Sequence, residues 1–206
     1  MLSFGAPYTA PRGSSFNFTF SPPIIAPFWD DVDITRGGTI YYRQDTNSTI
    51  MDPVQKAIAL EYPEAASFQP SLVFVATWDR VEEYGFDVRS LVNTFQVVVA
   101  SDGTWTFVRF SYGDIQWGGI GTLIGVSAGD GVNFITHSAS RTSAVLMLDN
   151  TTATYRIDGM LSCGTIVSSE LIAILFLREY NYYVTYDYYS STDRMLYRRR
   201  NSPLFE

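Results

Sequence analysis

Asn93-Thr94-Phe95-Gln96-Val97-Val98-Val99, a turn at Asp102-Gly103, then Trp105-Thr106-Phe107-Val108-Arg109-Phe110: the reading of this stretch decides the fold. Two alternating runs flank an Asp-Gly pair, whose preference for positive φ suits a tight hairpin turn. Ser111-Tyr112-Gly113-Asp114-Ile115 and Trp117 prolong the second run. Just upstream, Leu72-Val73-Phe74-Val75-Ala76-Thr77-Trp78-Asp79-Arg80-Val81 starts apolar on both faces, as a central strand does. Further back, Thr39-Ile40-Tyr41-Tyr42-Arg43 reads as a strand returning from a turn at Gly37-Gly38, and Phe16, Phe18 and Phe20 alternate onto one strand face. One helix is predicted, over about 53–62: Asp52 caps, Pro53 takes the first helical position, Val54, Ala57, Ile58 and Glu61 follow at helical spacing, and Tyr62-Pro63 ends it. Short strands separated by turn signals predict a mainly β protein, an antiparallel two-sheet β-sandwich with that one short helix.

Composition narrows the function. The chain has 206 residues, enough for one domain with a sizeable core, and is 46% hydrophobic and 16% aromatic. A net charge of −7 supplies no basic field to neutralise phosphates, which argues against a nucleic-acid partner. Lys56 is the only lysine, so there is no polybasic stripe for a membrane surface, and the apolar run from Leu171 to Leu177 is too short to span a bilayer. Cys163 stands alone, without a disulfide framework or a thiolate metal site. Met1-Leu2-Ser3-Phe4-Gly5 lacks the basic start and apolar core of a signal peptide.

Ile25-Ala26-Pro27-Phe28-Trp29-Asp30-Asp31-Val32-Asp33-Ile34 is the densest run of chemistry. If extended, it puts Phe28, Asp30, Val32 and Ile34 on one face and Trp29, Asp31 and Asp33 on the other. Three carboxylates beside a core strand must be solvated, held by backbone N–H groups or arginines, or bound to a cation. Arg43 and Arg109, on strands among aromatics, are the arginine candidates.

This stretch, with T-W-D-x-V from Thr77, N-T-F-Q from Asn93, and Tyr112-Gly113-Asp114-Ile115 followed by Trp117, resembles the nidogen-type extracellular (NIDO) domain of nidogens, alpha-tectorin, membrane mucins and sushi-containing ectodomain proteins. The resemblance continues through Gly121, Ile124-Gly125, Gly129-Asp130-Gly131 and Tyr155-Arg156-Ile157-Asp158. It implies a domain over residues 1–160 that lacks its N-terminal edge, a first strand or two, and it leaves 161–206 as an unassigned Tyr-rich extension. That extension holds seven tyrosines and Arg198-Arg199-Arg200, matches nothing in the family, and is expected to add little to the core.

Enzymatic readings fail on their own chemistry. Gly125-Val126-Ser127-Ala128-Gly129 spells a nucleophile elbow, but a turn and another strand follow where a helix is needed. His137, the only histidine and a loop residue, lies ten residues on and cannot build a multi-histidine metal centre. Gly118-Gly119-Ile120-Gly121 lacks the lysine and spacing of a phosphate cradle. Asp30, Asp31, Asp33 and Asp114 offer carboxylate pairs of unknown separation, too little for a glycosidase. No catalytic, cofactor or metal residue is assigned. Trp29, Trp78, Trp105 and Trp117, each in or beside a strand, are assigned to core and inter-sheet packing. Three sequons, at Asn17, Asn47 and Asn150, are candidate glycosylation sites.

The resemblance therefore implies a non-enzymatic extracellular module, secreted or part of a membrane protein's ectodomain. Its role would be cell–matrix adhesion, with matrix or cell-surface proteins as partners and no membrane insertion by this chain. The competing expectation is a calcium-dependent carbohydrate-binding module using Asp30, Asp31 and Asp33, which calcium-dependent thermal stabilisation would distinguish.

Overall fold

The structure, a computed structural model, describes residues 1–4, 22–85, 91–160 and the backbone of 173–175. The expected strand through Phe16, Phe18 and Phe20 lies outside the described residues, as does most of 161–206.

The architecture is two antiparallel sheets and one α-helix. Strands β1 (Leu2–Phe4), β2 (Ile24–Trp29), β3 (Val32–Asp33), β4 (Thr39–Asp45), β5 (Leu72–Glu83), β6 (Val92–Ser101), β7 (Thr106–Ile115), β8 (Leu123–Ser127), β9 (Phe134–Thr136), β10 (Thr152–Arg156) and β11 (Ala173–Leu175) follow in chain order. One sheet has the order β11-β1-β2-β8-β9; the other has the order β10-β7-β6-β5-β3, with β4 also on β5. The Asp102-Gly103 hairpin joins β6 to β7 with Ser101 opposite Thr106, and Gly103 takes a φ of +91° at the turn.

The sheets face each other across one aromatic and β-branched core. Leu2, Phe4, Ile25, Phe28, Ile124 and Val126 come from the smaller sheet; Phe74, Ala76, Trp78, Phe95, Val97, Val99, Val108, Phe110 and Tyr112 come from the larger. β2 is buried on both faces, so it reads in sequence as a nearly continuous apolar run. Its alternate residues Ile24, Ala26 and Trp29 form a second small cluster with Met1 and Leu123.

Three details depart from the sequence expectations. The helix α1 spans Ser48–Glu61, starting well before Asp52, with Asn47 as its N-cap: the Asn47 side chain accepts from the Thr49 N–H at 3.0 Å. Pro53 therefore sits inside the helix. Thr49 and Pro53 are both exposed, so the carbonyl that loses its usual donor faces water, which lowers the cost. Ile50, Met51, Val54 and Ile58 form the stripe that α1 lays on Val73, Val75, Val98, Ala100 and Phe107, on the outer face of the larger sheet.

The Gly37-Gly38 segment does not reverse the chain. β3 and β4 both run antiparallel to β5, Val32 opposite Glu83 and Thr39 opposite Asp79, so they form one edge strand interrupted by a loop. Residues 34–38 loop out opposite Arg80 and Val81, where β5 also carries a bulge against β6 between Trp78 and Val81, with Arg80 at φ +53°. Gly38, at φ +78°, lies so close that a Cβ there would come within 2.6 Å of the Arg80 carbonyl oxygen.

Lastly, part of the C-terminal apolar run joins a sheet. Ala173–Leu175 pairs antiparallel with β1, Leu2 opposite Leu175.

Candidate functional site

The motifs picked out in the sequence converge in space. Trp78 stacks on Phe95 with ring centroids 5.0 Å apart and an 18° interplanar angle. Phe95 stacks on Phe28 at 5.3 Å, and Phe28 meets Trp117 edge-on, also at 5.3 Å. One row of rings thus draws a member from each of the four most specific sequence motifs. Such offset and edge contacts suit the aromatic quadrupole and add to the burial of area.

Polar groups lock this row from its ends. The buried Asn93 amide donates to the Trp117 carbonyl at 2.9 Å and accepts from the Gln116 and Trp117 N–H groups at 2.8 and 3.1 Å. The Trp117 indole N–H donates to the Val81 carbonyl at 3.0 Å. The Tyr112 hydroxyl donates to the Pro27 carbonyl at 2.8 Å, tying the two sheets together, and burial holds that phenol well above its ordinary pKa. Gly118, at φ +132°, passes so near Phe28 that a Cβ would lie 2.7 Å from the ring.

The aspartates of the signature do local structural work. Asp30 accepts from the Asp31 N–H at 3.0 Å and from the Thr122 hydroxyl at 2.5 Å, joining the end of β2 to the loop before β8. Asp33 accepts from both the N–H and the hydroxyl of Thr35, at 2.8 and 2.7 Å, which closes the loop between β3 and β4. Backbone N–H groups, one of the two kinds of partner expected, hold both Asp30 and Asp33, and threonine hydroxyls add to them. Arg109 lies elsewhere, bonded to Glu61 at the end of α1 and to Thr152 and Thr154 on β10. Among the described residues, no group of three or more His, Cys, Asp or Glu side chains is placed to hold a metal ion.

Ser127 is buried at the end of β8, where its hydroxyl accepts from the Gly129 N–H at 3.1 Å, and the hairpin runs straight into β9. A buried turn-closing hydroxyl on a hairpin is not a nucleophile elbow. Asp114 accepts from the Gln116 side chain at 2.7 Å. His137 follows β9, half-buried, with its ring beside Tyr112 and Tyr155 and its Nδ1 accepting from the Ala139 N–H at 3.0 Å.

Burial lowers the His137 pKa. The unfolded chain therefore takes up a proton as pH falls through about 6.5, while the folded ring resists it. Stability from this group is complete above that pH and declines below it until the folded ring titrates. Protonating Nδ1 would also cost the Ala139 bond. The thermal midpoint of the wild type is expected to fall relative to His137→Gln between about pH 7 and pH 5; parallel curves would refute this.

The tryptophans divide. Trp78 and Trp117 are buried between the sheets, and Trp29 is buried in the small cluster on the other face of β2. Trp105 is only part-buried, on the outer face near α1, with the Arg156 guanidinium 4.3 Å above its ring. Sequence reasoning missed three polar struts: Asn93, Thr122, and Asp149, which accepts from the Ile115 N–H at 2.6 Å. Only Asn93 carried a signal, as an amide near the start of a strand whose later part, Val97-Val98-Val99-Ala100, is apolar.

Two antiparallel sheets pinned by a shared row of motif aromatics and by buried polar struts define a β-domain class whose motif residues are architectural. The nidogen-like domain family matches residues 1–161, and the chain belongs to that family. It is 32% identical to alpha-tectorin of Homo sapiens over 166 residues, 74% of this chain and 8% of that protein. It is 39% identical to nidogen-1 of Rattus norvegicus over 104 residues, 47% of this chain and 32% of that sequence. Dendrite extension defective protein 1 of Caenorhabditis elegans is 29% identical over 131 residues, 63% of this chain and 11% of that protein. The chain thus spans a small part of the relatives it matches, and no solved structure matches it.

Proposed function

We propose that this chain is a non-enzymatic extracellular module that supplies binding surface for cell–matrix adhesion, with matrix or cell-surface proteins as partners. Membership of the nidogen-like family and the similarity to nidogen-1 and alpha-tectorin support an extracellular matrix setting. Among the described residues, no helix is long and apolar enough to cross a membrane.

The observation that carries the binding role is the half of the larger sheet's outer face that, among the described residues, α1 leaves uncovered. Tyr41, Thr77, Gln96, Ser111 and Thr152 lie opposite one another across five strands. They share a face because Thr77 and Gln96 sit two residues along from Val75 and Val98, which α1 covers. The row is uncharged and rich in hydroxyl and amide groups. The Gln96 amide already donates to Thr77 at 2.7 Å, and Tyr41 is 39% exposed. A polar face on which Gln96 and Thr77 are already ordered suits a macromolecular partner, since those side chains have less entropy to lose on contact.

Cells are expected to attach to wells coated with the full chain and to lose that attachment with Gln96→Arg/Ser111→Arg, at an unchanged thermal midpoint. Failure of the wild-type protein to support attachment would overturn the adhesion role. Full attachment by the folded double variant would overturn the assignment of the face.

A further inference from the structure

The larger sheet ends on strands that, among the described residues, have a neighbour on one side only: β10 beyond β7, and β4 beyond β5. Such edges offer unpaired N–H and C=O groups to any second strand, and a stable protein must blunt them. Each edge meets a sequon. Asn47-Ser48-Thr49 follows Asp45, the last residue of β4, by one intervening residue, and Asn150-Thr151-Thr152 runs into Thr152, the first residue of β10. The two sit at diagonal corners, because Asp45 pairs toward the Asp102-Gly103 end and Thr152 lies toward the opposite end, beside Ser111.

We propose that Asn47 and Asn150 carry N-linked glycans that cover the two edges of the larger sheet that are open among the described residues; this rests on the extracellular reading. Asn47 is exposed, and its Oδ1 accepts from the Thr49 N–H at 3.0 Å and the Thr49 hydroxyl at 3.1 Å. Glycosylation uses the other atom. The Nδ2 nitrogen attacks C1 of an oligosaccharide carried on a lipid diphosphate; the N–C1 bond forms and the C1–O bond breaks. The lipid diphosphate leaves, and the amide proton passes to a base on the transferase. Oδ1 stays a carbonyl acceptor throughout, so the helix cap survives modification.

Asn150 is exposed at φ +57°, a region that asparagine tolerates, and its turn is closed by the Thr151 N–H bonding to the Leu148 carbonyl at 2.9 Å. A glycan at either position is far bulkier than the ~4.8 Å spacing at which a second strand must approach. It therefore excludes edge-to-edge pairing without altering a core residue.

The test uses the full chain behind a secretory leader in mammalian cells. Enzymatic release of N-glycans in ¹⁸O water, followed by peptide mass spectrometry, is expected to convert both Asn47 and Asn150 to labelled Asp. The variant Ser48→Pro/Asn150→Gly removes both sequons at little conformational cost. Proline suits the first helical position, Asn47 already has the extended φ −84°, ψ 134° that a residue before proline prefers, and glycine accepts positive φ.

Light scattering is expected to show the glycosylated protein monomeric, and both the variant and the folded, enzymatically deglycosylated protein associating as concentration rises. An unmodified Asn47 or Asn150 in secreted, folded protein overturns the proposal. So does a deglycosylated protein and variant that both stay monomeric. A chain that the leader delivers to the secretory pathway but that is retained there misfolded would instead count against the extracellular reading beneath it.

Discussion

Trp78→Ala is expected to cost about 3–5 kcal/mol, a large share of the ~5–15 kcal/mol that typically holds a domain together. The indole is 1% exposed and stacks on Phe95, which stacks on Phe28, which in turn abuts Trp117. A side chain removed from the end of that row leaves a cavity its neighbours cannot fill. Trp117 is anchored by its indole N–H on Val81, and Phe28 is pressed from behind by Gly118. Trp105→Ala should cost markedly less, because that ring is only part-buried outside the inter-sheet core and Arg156 covers one face. Urea denaturation of the two variants checks this, with an unchanged m value showing that the unfolded states are comparable. Equal losses at the two sites would contradict the division between inner and outer tryptophans.

How much of this was legible in the sequence depends on how local the cause is. The β6–β7 hairpin was legible because alternation and Asp-Gly are both local, and they agree. The β5 strand was legible because burial on both faces writes a continuous apolar run. The end of α1 at Tyr62-Pro63 was plain for the same reason. Its start was not: Asp52-Pro53 is the commoner opening, yet Asn47 wins by capping Thr49, and an exposed proline inside the helix costs less when water solvates the freed carbonyl.

The relation of β3 to β4 was hidden because a Gly-Gly pair reads locally as a reversal, and only the shared partner β5 shows that both strands run the same way. The pairing of Ala173–Leu175 with β1 was hidden by sequence distance, since no local pattern names a partner so far away. Within the signature, the sequence showed that Asp30 and Asp33 needed partners. It could not show that Thr122 and Thr35 would supply them, because a hydroxyl donor leaves no charge pattern to read.

Asn93→Leu is expected to be about as damaging as losing Trp78, although leucine is apolar and close to asparagine in size. Volume is not what Asn93 contributes. Its amide satisfies the Gln116 N–H, the Trp117 N–H and the Trp117 carbonyl, and the residue itself is fully buried. Leucine would fill the space and leave all three backbone groups without that partner, and the two bonds to Trp117 are buried; at about 1–3 kcal/mol for each buried orphan, the loss is on the order of 2–6 kcal/mol. Freed from the clamp, Trp117 would no longer hold its edge against Phe28, so the damage would spread into the aromatic row.

Asn93→Asp separates this account from a simple packing effect. A carboxylate can still accept from both N–H groups but cannot donate to the Trp117 carbonyl, and it places a buried charge against that oxygen. Protonation restores the donor, so burial raises the new carboxyl's pKa above its unfolded value of about 3.9. The variant's stability is then fullest below that value and declines as pH rises through the raised folded pKa. Denaturation midpoints should show Asn93→Asp approaching wild type on acidification while Asn93→Leu stays low at every pH. If Asn93→Leu lost less than about 1 kcal/mol, the clamp would not be what seats Trp117.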